Sequence, residues 1–171
     1  MKPPEWLVSM FERRALKRAK DLEFSFPGAL NALEKSVILW PAEPDEAAKA
    51  IASGIKRALG KKIRAILSFS GEVPFPGIEL IRLDKSDIGF LGYPKRSAVR
   101  KLEAFGASID LSPEFELNLS VLPLWADIKL RIGRDSLFAG SAYNIIISGK
   151  TGMEIETLLN AKECGSYEKA I

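Results

Sequence analysis

The segment Phe105–Arg134 leaves few folds open to this chain. Gly106-Ala-Ser-Ile-Asp-Leu111 is apolar and strand-like, and Ser112-Pro113-Glu114 has the chemistry of a helix start. A long apolar run follows, then a second strand-like stretch, Lys129-Leu-Arg-Ile-Gly133. A cap serine can accept from the free amides of a first turn, and proline is pre-set for the position after it. Strand, capped helix and strand make a βαβ unit, which requires parallel strands and a right-handed crossover. The apolar run (Phe115, Leu117, Leu119, Val121, Leu122, Leu124, Trp125) is expected to form one heavily buried helix, bent or ended near Pro123.

The rest of the chain repeats this alternation. Ser36-Val-Ile-Leu-Trp40 reads as a short buried strand stopped by Pro41. After the turn Pro41-Ala-Glu-Pro-Asp45, Ala48, Ile51, Ala52, Ile55, Ala58 and Leu59 recur at helical spacing, and Gly60 supplies the stop. Ile63–Phe69 and Ile78–Leu83 are the next strands, the second interrupted by Glu79 and Arg82 and so placed near a sheet edge. Ser97 is expected to cap a helix burying Val99, Leu102 and Phe105, and Tyr143–Ser148 is a sixth strand. Thr151-Gly-Met-Glu154 opens a last helix with a capping-box pattern. The expected fold is α/β, a doubly wound, mostly parallel six-stranded sheet with helices on both faces, Rossmann-like, plus an extra amphipathic N-terminal helix. Residues 1–35 form that helix and a connector, 36–164 the α/β domain, and 165–171 a frayed tail.

In such sheets ligands bind outside the carboxyl ends of the strands, where the strand order reverses. Placing the reversal between the first and fourth strands puts 40–46 and 110–114 around one crevice. The candidate ligand-binding residues are therefore Asp45, Asp110, Ser112 and Glu114. Two helix starts offer free amides and partial positive charge to an anion or polar ligand, and the three carboxylates tilt the choice towards a sugar hydroxyl or a metal-bridged group. Asp110 and Glu114 have the hard oxygen donors a divalent cation wants, but a strand-end carboxylate bonded to loop amides accounts for the same residues, and no metal site is assigned.

Composition closes off other chemistry. The 171 residues hold no histidine and one cysteine, Cys164. That removes Ser-His and Cys-His dyads, zinc sites and internal disulfides, and a lone thiol suits a reducing cytoplasm. Neither G-x-x-x-x-G-K-[ST] nor G-x-G-x-x-G occurs, so no cofactor is implied. No stretch approaches a membrane span, and charged residues interrupt any signal-peptide core near the N-terminus. The net charge of +3 does not point to nucleic acid, yet basic residues cluster in the first helix as Arg13, Arg14, Lys17, Arg18 and Lys20. Opposite them, Leu7, Phe11, Ala15, Ala19 and Leu22 form an apolar stripe. The stripe suits packing on the domain, on a second copy of the chain or on another protein, and the basic face suits solvent, or contact with nucleic acid, an acidic partner or an anionic membrane surface at the inner membrane face.

Val37-Ile-Leu-Trp-Pro41 followed by Asp45 and a helix resembles the opening of bacterial heptosyltransferase-type (GT-B) glycosyltransferases, where a strand and short loop end in Gly-Asp before the first helix. Ala107-Ser-Ile-Asp-Leu-Ser112, an apolar helix and Ala126-Asp-Ile-Lys-Leu-Arg-Ile-Gly133 resemble that family's later amino-terminal segment. Phe90-Leu-Gly-Tyr-Pro-Lys95 and Ile109-Asp-Leu-Ser112 also resemble segments of small stand-alone bacterial proteins of unknown function. The likeness spans residues 36–148 and the amino-terminal domain alone. It implies that Asp45 occupies the family's catalytic position, although Pro44 stands where the family has glycine and the loop is a residue shorter. The nucleotide-sugar-binding domain has no counterpart here. The reading is therefore a non-enzymatic α/β domain that binds a ligand or partner. Its alternatives are a glycosyltransferase-like enzyme needing a separate nucleotide-sugar-binding domain, and a peripheral membrane module using the basic first helix.

Overall fold

The computed structural model describes residues 4–21, 28–71, 73–89, 92–136, 139–149, 153 and 155–157. Six strands, β1 (Ser36–Trp40), β2 (Ile63–Ser68), β3 (Glu79–Arg82), β4 (Ala107–Asp110), β5 (Leu130–Arg134) and β6 (Ile145–Ile147), form one sheet in the order β3-β2-β1-β4-β5-β6. Every neighbouring pair is parallel. The fold is the expected Rossmann-like α/β architecture. β1 lies between β2 and β4, which is why all five of its residues are buried and its sequence is continuously apolar. β3 is an edge strand, and its Glu79 and Arg82 are exposed as their interruption of the pattern implied.

Alternate residues of each strand serve opposite faces. Ile38, Trp40, Ile66, Ile109 and Ile132 pack with Ala48, Ile51 and Ile55 of α2 (Glu46–Leu59) and with Leu30 and Leu33 of the 3-10 helix Gly28–Lys35. Val37, Leu39, Ala65 and Leu67 face the other way, against Ala98 and Leu102, Leu119 of α4 (Leu117–Ser120) and Leu122 of α5 (Leu122–Trp125). Gly60 closes α2 at φ 51°, a conformation that favours glycine, and its amide bonds the Lys56 carbonyl.

Three local expectations are corrected. Ser112 does not cap a helix: α4 starts at Leu117, with Glu116 in the cap position, and 113–116 is irregular. The apolar run is two four-residue turns instead of one helix, with Pro123 in the first turn of α5, where its missing amide costs no bond. Ser97 does not cap α3 (Arg96–Arg100); Lys95 holds that position, while the Ser97 hydroxyl donates to Asp87. Asp87 is buried and also accepts from Lys101 Nζ at 2.6 Å, tying the β3–α3 connection together.

The first helix, α1 (Glu5–Asp21), lies on the domain. Leu7 is buried with Leu117 and Val121, beside Tyr93, Phe115 and Trp125. The side chains of Phe11, Ala15, Ala19 and Lys20 are not described, and Leu22, Thr151 and Glu154 of the capping box and the 165–171 tail fall outside the described residues. Met153 and 155–157 are helical, with Ile155 in the core. Among the described residues no helix is long and apolar enough to cross a membrane.

Candidate functional site at the strand-order reversal

The order β3-β2-β1-β4-β5-β6 reverses between β1 and β4. The loops leaving their carboxyl ends, 41–45 and 111–116, therefore splay to opposite faces and leave a crevice between them. Asp45 ends the first loop in extended conformation, with its Oδ1 accepting from the Ala48 amide at 2.7 Å as the cap of α2. Across the end of β4, Arg134, the last residue of β5, grips the same carboxylate at 2.8 and 3.0 Å through both terminal nitrogens. Its Nη1 also lies 3.4 Å from the Leu111 carbonyl, at the start of the second loop. The side chain of Arg134 is 16% exposed and that of Asp45 42%, so the pair sits at the rim with the cation further in. The guanidinium hydrogen bond, with the helix-start amide, holds the Asp45 carboxyl below the ordinary aspartate range despite the opposing effect of burial.

Asp110, the last residue of β4, is 0% exposed. Its Oδ1 accepts from the Ser112 amide at 2.9 Å and its Oδ2 from the Tyr143 hydroxyl at 2.7 Å. Tyr143 reaches it across Gly133, where any Cβ would run into the tyrosine ring. Burial and the adjacent Asp110 keep the phenol protonated, so it remains a donor. Ser112 is 4% exposed, and among the described residues its buried Oγ meets no hydrogen-bond partner.

Sequence reasoning missed Glu116. Burial, then Asp110, then Glu43 of the facing loop push its carboxyl up from 4.5 to about 7, the range in which one group can both give and take a proton. Among the described residues no cation pairs with it. Its amide donates to Ser120 Oγ at 3.1 Å, which holds the turn that carries it. Arg134 and Tyr143 were missed too. The structure brings Asp45, Asp110 and Ser112 to one end of the sheet, with Arg134 spanning from Asp45 to the loop of Ser112. Glu114 is exposed on that loop. Among the described residues no group of three or more Asp, Glu or Cys side chains could hold a metal ion.

The basic residues of α1 divide. Arg18 pairs with Asp127, and Arg14, though exposed, bonds the Tyr93 hydroxyl, both on the docked side; Arg13 and Lys17 are exposed on a neighbouring stripe. Buried Arg131 does a structural job at the other end of β5, donating to the carbonyls of Ala142 at 2.8 Å and Ile128 at 2.7 Å. Comparison with known proteins gave no match for this chain among family models, curated proteins or solved structures.

Proposed function

We propose that this chain is a binding domain whose β1–β4 crevice takes a small, neutral, hydroxyl-rich ligand of the sugar class. The observation that carries the reading is the reversal of strand order between β1 and β4. Glu43 and Asp45 lie on the loop that leaves β1 and Ser112 and Glu116 on the loop that leaves β4, with Arg134 reaching Asp45 from the end of β5, at the end of the sheet where such folds bind ligands. Four carboxyl groups, Glu43, Asp45, Asp110 and Glu116, stand against Arg134, so a phosphate or nucleotide is repelled. Sugar hydroxyls donate to carboxylates, and a half-protonated Glu116 can also donate to a ring or hydroxyl oxygen. This agrees with the resemblance to the amino-terminal half of heptosyltransferase-type glycosyltransferases, and with a cytoplasmic protein. The test is NMR titration of the labelled protein with neutral saccharides, sugar phosphates and nucleotides. Saturable shifts at the amides of 43–45 and 112–116 with a neutral saccharide are expected. Binding of phosphates or nucleotides alone, or no saturable shift at these amides, would overturn the reading.

Glu116 favours a second reading, in which the crevice supplies the proton-handling half of a glycosyl transfer and a separate domain supplies the nucleotide-sugar. A donor sugar needs a closed, water-excluding site, so the 171-residue chain by itself is expected to leave a panel of nucleotide-sugars unconverted. Donor-dependent product above background, read by chromatography, would place catalysis within the chain itself.

A further inference from the structure

We propose that the outward side of α1 docks on an anionic lipid surface. Two faces of this helix are distinguishable. Leu7, Arg14 and Arg18 follow one another at spacings of seven and four, so they share the side held against the domain through Leu117, Val121, Tyr93 and Asp127. Trp6, Met10, Arg13 and Lys17 follow one another at spacings of four, three and four, and so share a neighbouring stripe. That stripe faces solvent: Trp6 is 64% exposed, Met10 37%, and Arg13 and Lys17 are both exposed. It runs for about 16 Å from an apolar, aromatic first turn to a cationic third turn.

A solvated face has no use for an exposed tryptophan and methionine in line with two cations. The interface of an acidic bilayer uses both kinds of group, since an indole settles at headgroup depth and each nearby Lys or Arg is drawn to the negative surface. The cations match the charge of such a surface, and the apolar pair distinguishes it from a nucleic acid, whose phosphates would engage Arg13 and Lys17 without Trp6 and Met10. Because Arg14 and Arg18 are engaged with the domain, the attraction comes from few charges, and docking is reversible and sensitive to salt. The helix lies on the surface and does not span it.

The test is co-sedimentation of the full chain with vesicles of phosphatidylcholine, with and without phosphatidylglycerol, at low and high salt. Binding is expected only to the vesicles containing phosphatidylglycerol, and to weaken as salt rises. Arg13→Gln with Lys17→Gln should lower the partition coefficient about thirtyfold, about fivefold for each charge. Trp6→Ala with Met10→Ala should lower it at least about tenfold. Both variants should melt at the wild-type temperature, because all four side chains are exposed. Failure to bind anionic vesicles at low salt would overturn the proposal. So would undiminished binding by the Trp6/Met10 variant, which would reduce the face to a general polyanion contact. Binding of RNA or duplex DNA without vesicle binding, or self-association abolished by the same variant without vesicle binding, would assign the face to another partner and equally overturn it.

Discussion

A carboxyl group at the closed end of a sheet can survive there in two ways, and this crevice uses both. Asp110 has given up water entirely and replaced it with the Ser112 amide and the Tyr143 hydroxyl. Tyr143→Phe would leave Asp110 Oδ2 buried without its donor, at a cost of about 1–3 kcal/mol. Gly133→Ala should be at least as damaging, because the new methyl displaces the ring that carries the hydroxyl. Urea unfolding of the two variants tests the link: if Gly133→Ala is neutral, the close approach of ring to strand does not hold the hydroxyl in place. Glu116 takes the other course and holds on to its proton. Burial above all, then Asp110 and Glu43, raise it from 4.5 to about 7 in the folded state. Its contribution to stability is therefore fully present below about pH 4.5 and declines as the pH rises through about 7. Solvent screening at a partly exposed site keeps the loss to the order of 1–2 kcal/mol. Asp45 runs the opposite way. With its carboxyl lowered below 3.8 by Arg134, its contribution is complete above that value and lost as the pH falls through the lowered one. Glu116→Gln should flatten the alkaline side of the stability profile and leave the acid side unchanged. Urea midpoints measured between about pH 5 and about pH 8 would show this, and an unchanged alkaline slope would mean that Glu116 ionises like a surface glutamate.

Among the elements, α2 carries the clearest consequence. Asp45 is at once its cap and the partner of Arg134, 89 residues away. As a cap alone it would be replaced well by asparagine, which still accepts the Ala48 amide. The guanidinium changes that expectation, because a neutral amide pairs poorly with a cation that is mostly buried. Asp45→Asn is therefore expected to fall between wild type and Asp45→Ala, with Asp45→Ala costing about 2 kcal/mol, half from the cap and half from the ion pair. A double-mutant cycle with Arg134→Ala should return a coupling on the order of 1 kcal/mol. No coupling would leave α2 held by its cap alone. The same element shows what the sequence makes legible. The helical spacing of Ala48–Leu59, its stop at Gly60 and the apolar run of β1 are short-range patterns, and each appears where it was read. The segment after β4 carries an equally strong apolar signal that misleads. Leu117, Leu119, Val121, Leu122 and Leu124 are buried because two short turns are wedged between the sheet and α1, and burial on all sides erases the periodicity that separates one helix from two. Ser112 has cap chemistry, yet its amide bonds the Asp110 carboxylate, its hydroxyl caps no helix, and α4 starts only at Leu117.

At the scale of the molecule, the alternation of strand and helix was enough to place the reversal between β1 and β4, and with it Asp45, Asp110 and Ser112 at one end of the sheet. Arg134, Tyr143 and Glu116 were not legible, because each matters through partners that only the fold brings near. The Tyr143 hydroxyl meets a carboxylate 33 residues earlier in the chain, and Glu116 is perturbed by its burial, by Asp110 and by Glu43 of the loop that leaves β1. The docking of α1 is of the same long-range kind. Its apolar stripe announced a partner without naming one, and for Leu7, the one residue of that stripe whose side chain is described, the fold supplies Leu117 and Val121, beside Trp125. Among the described residues, two of the contacts that hold the helix differ in weight. The Arg18–Asp127 pair is largely exposed on both sides, and such pairs contribute at most about 1 kcal/mol. Asp127 also sits at φ 57°, a conformation that favours glycine, so Asp127→Gly relieves strain while it removes the pair and should leave the melting temperature nearly unchanged. Leu7 is buried almost completely, and Leu7→Ala should cost about 2 kcal/mol, the low end for a buried leucine because the cavity opens at the edge of the domain. For a chain of this length that corresponds to a melting temperature lower by about 4–8 °C. Thermal denaturation of the two variants side by side decides whether α1 is held by packing or by charge. A large loss from Asp127→Gly and none from Leu7→Ala would mean that the helix is tethered electrostatically and that its apolar face is not seated on the domain.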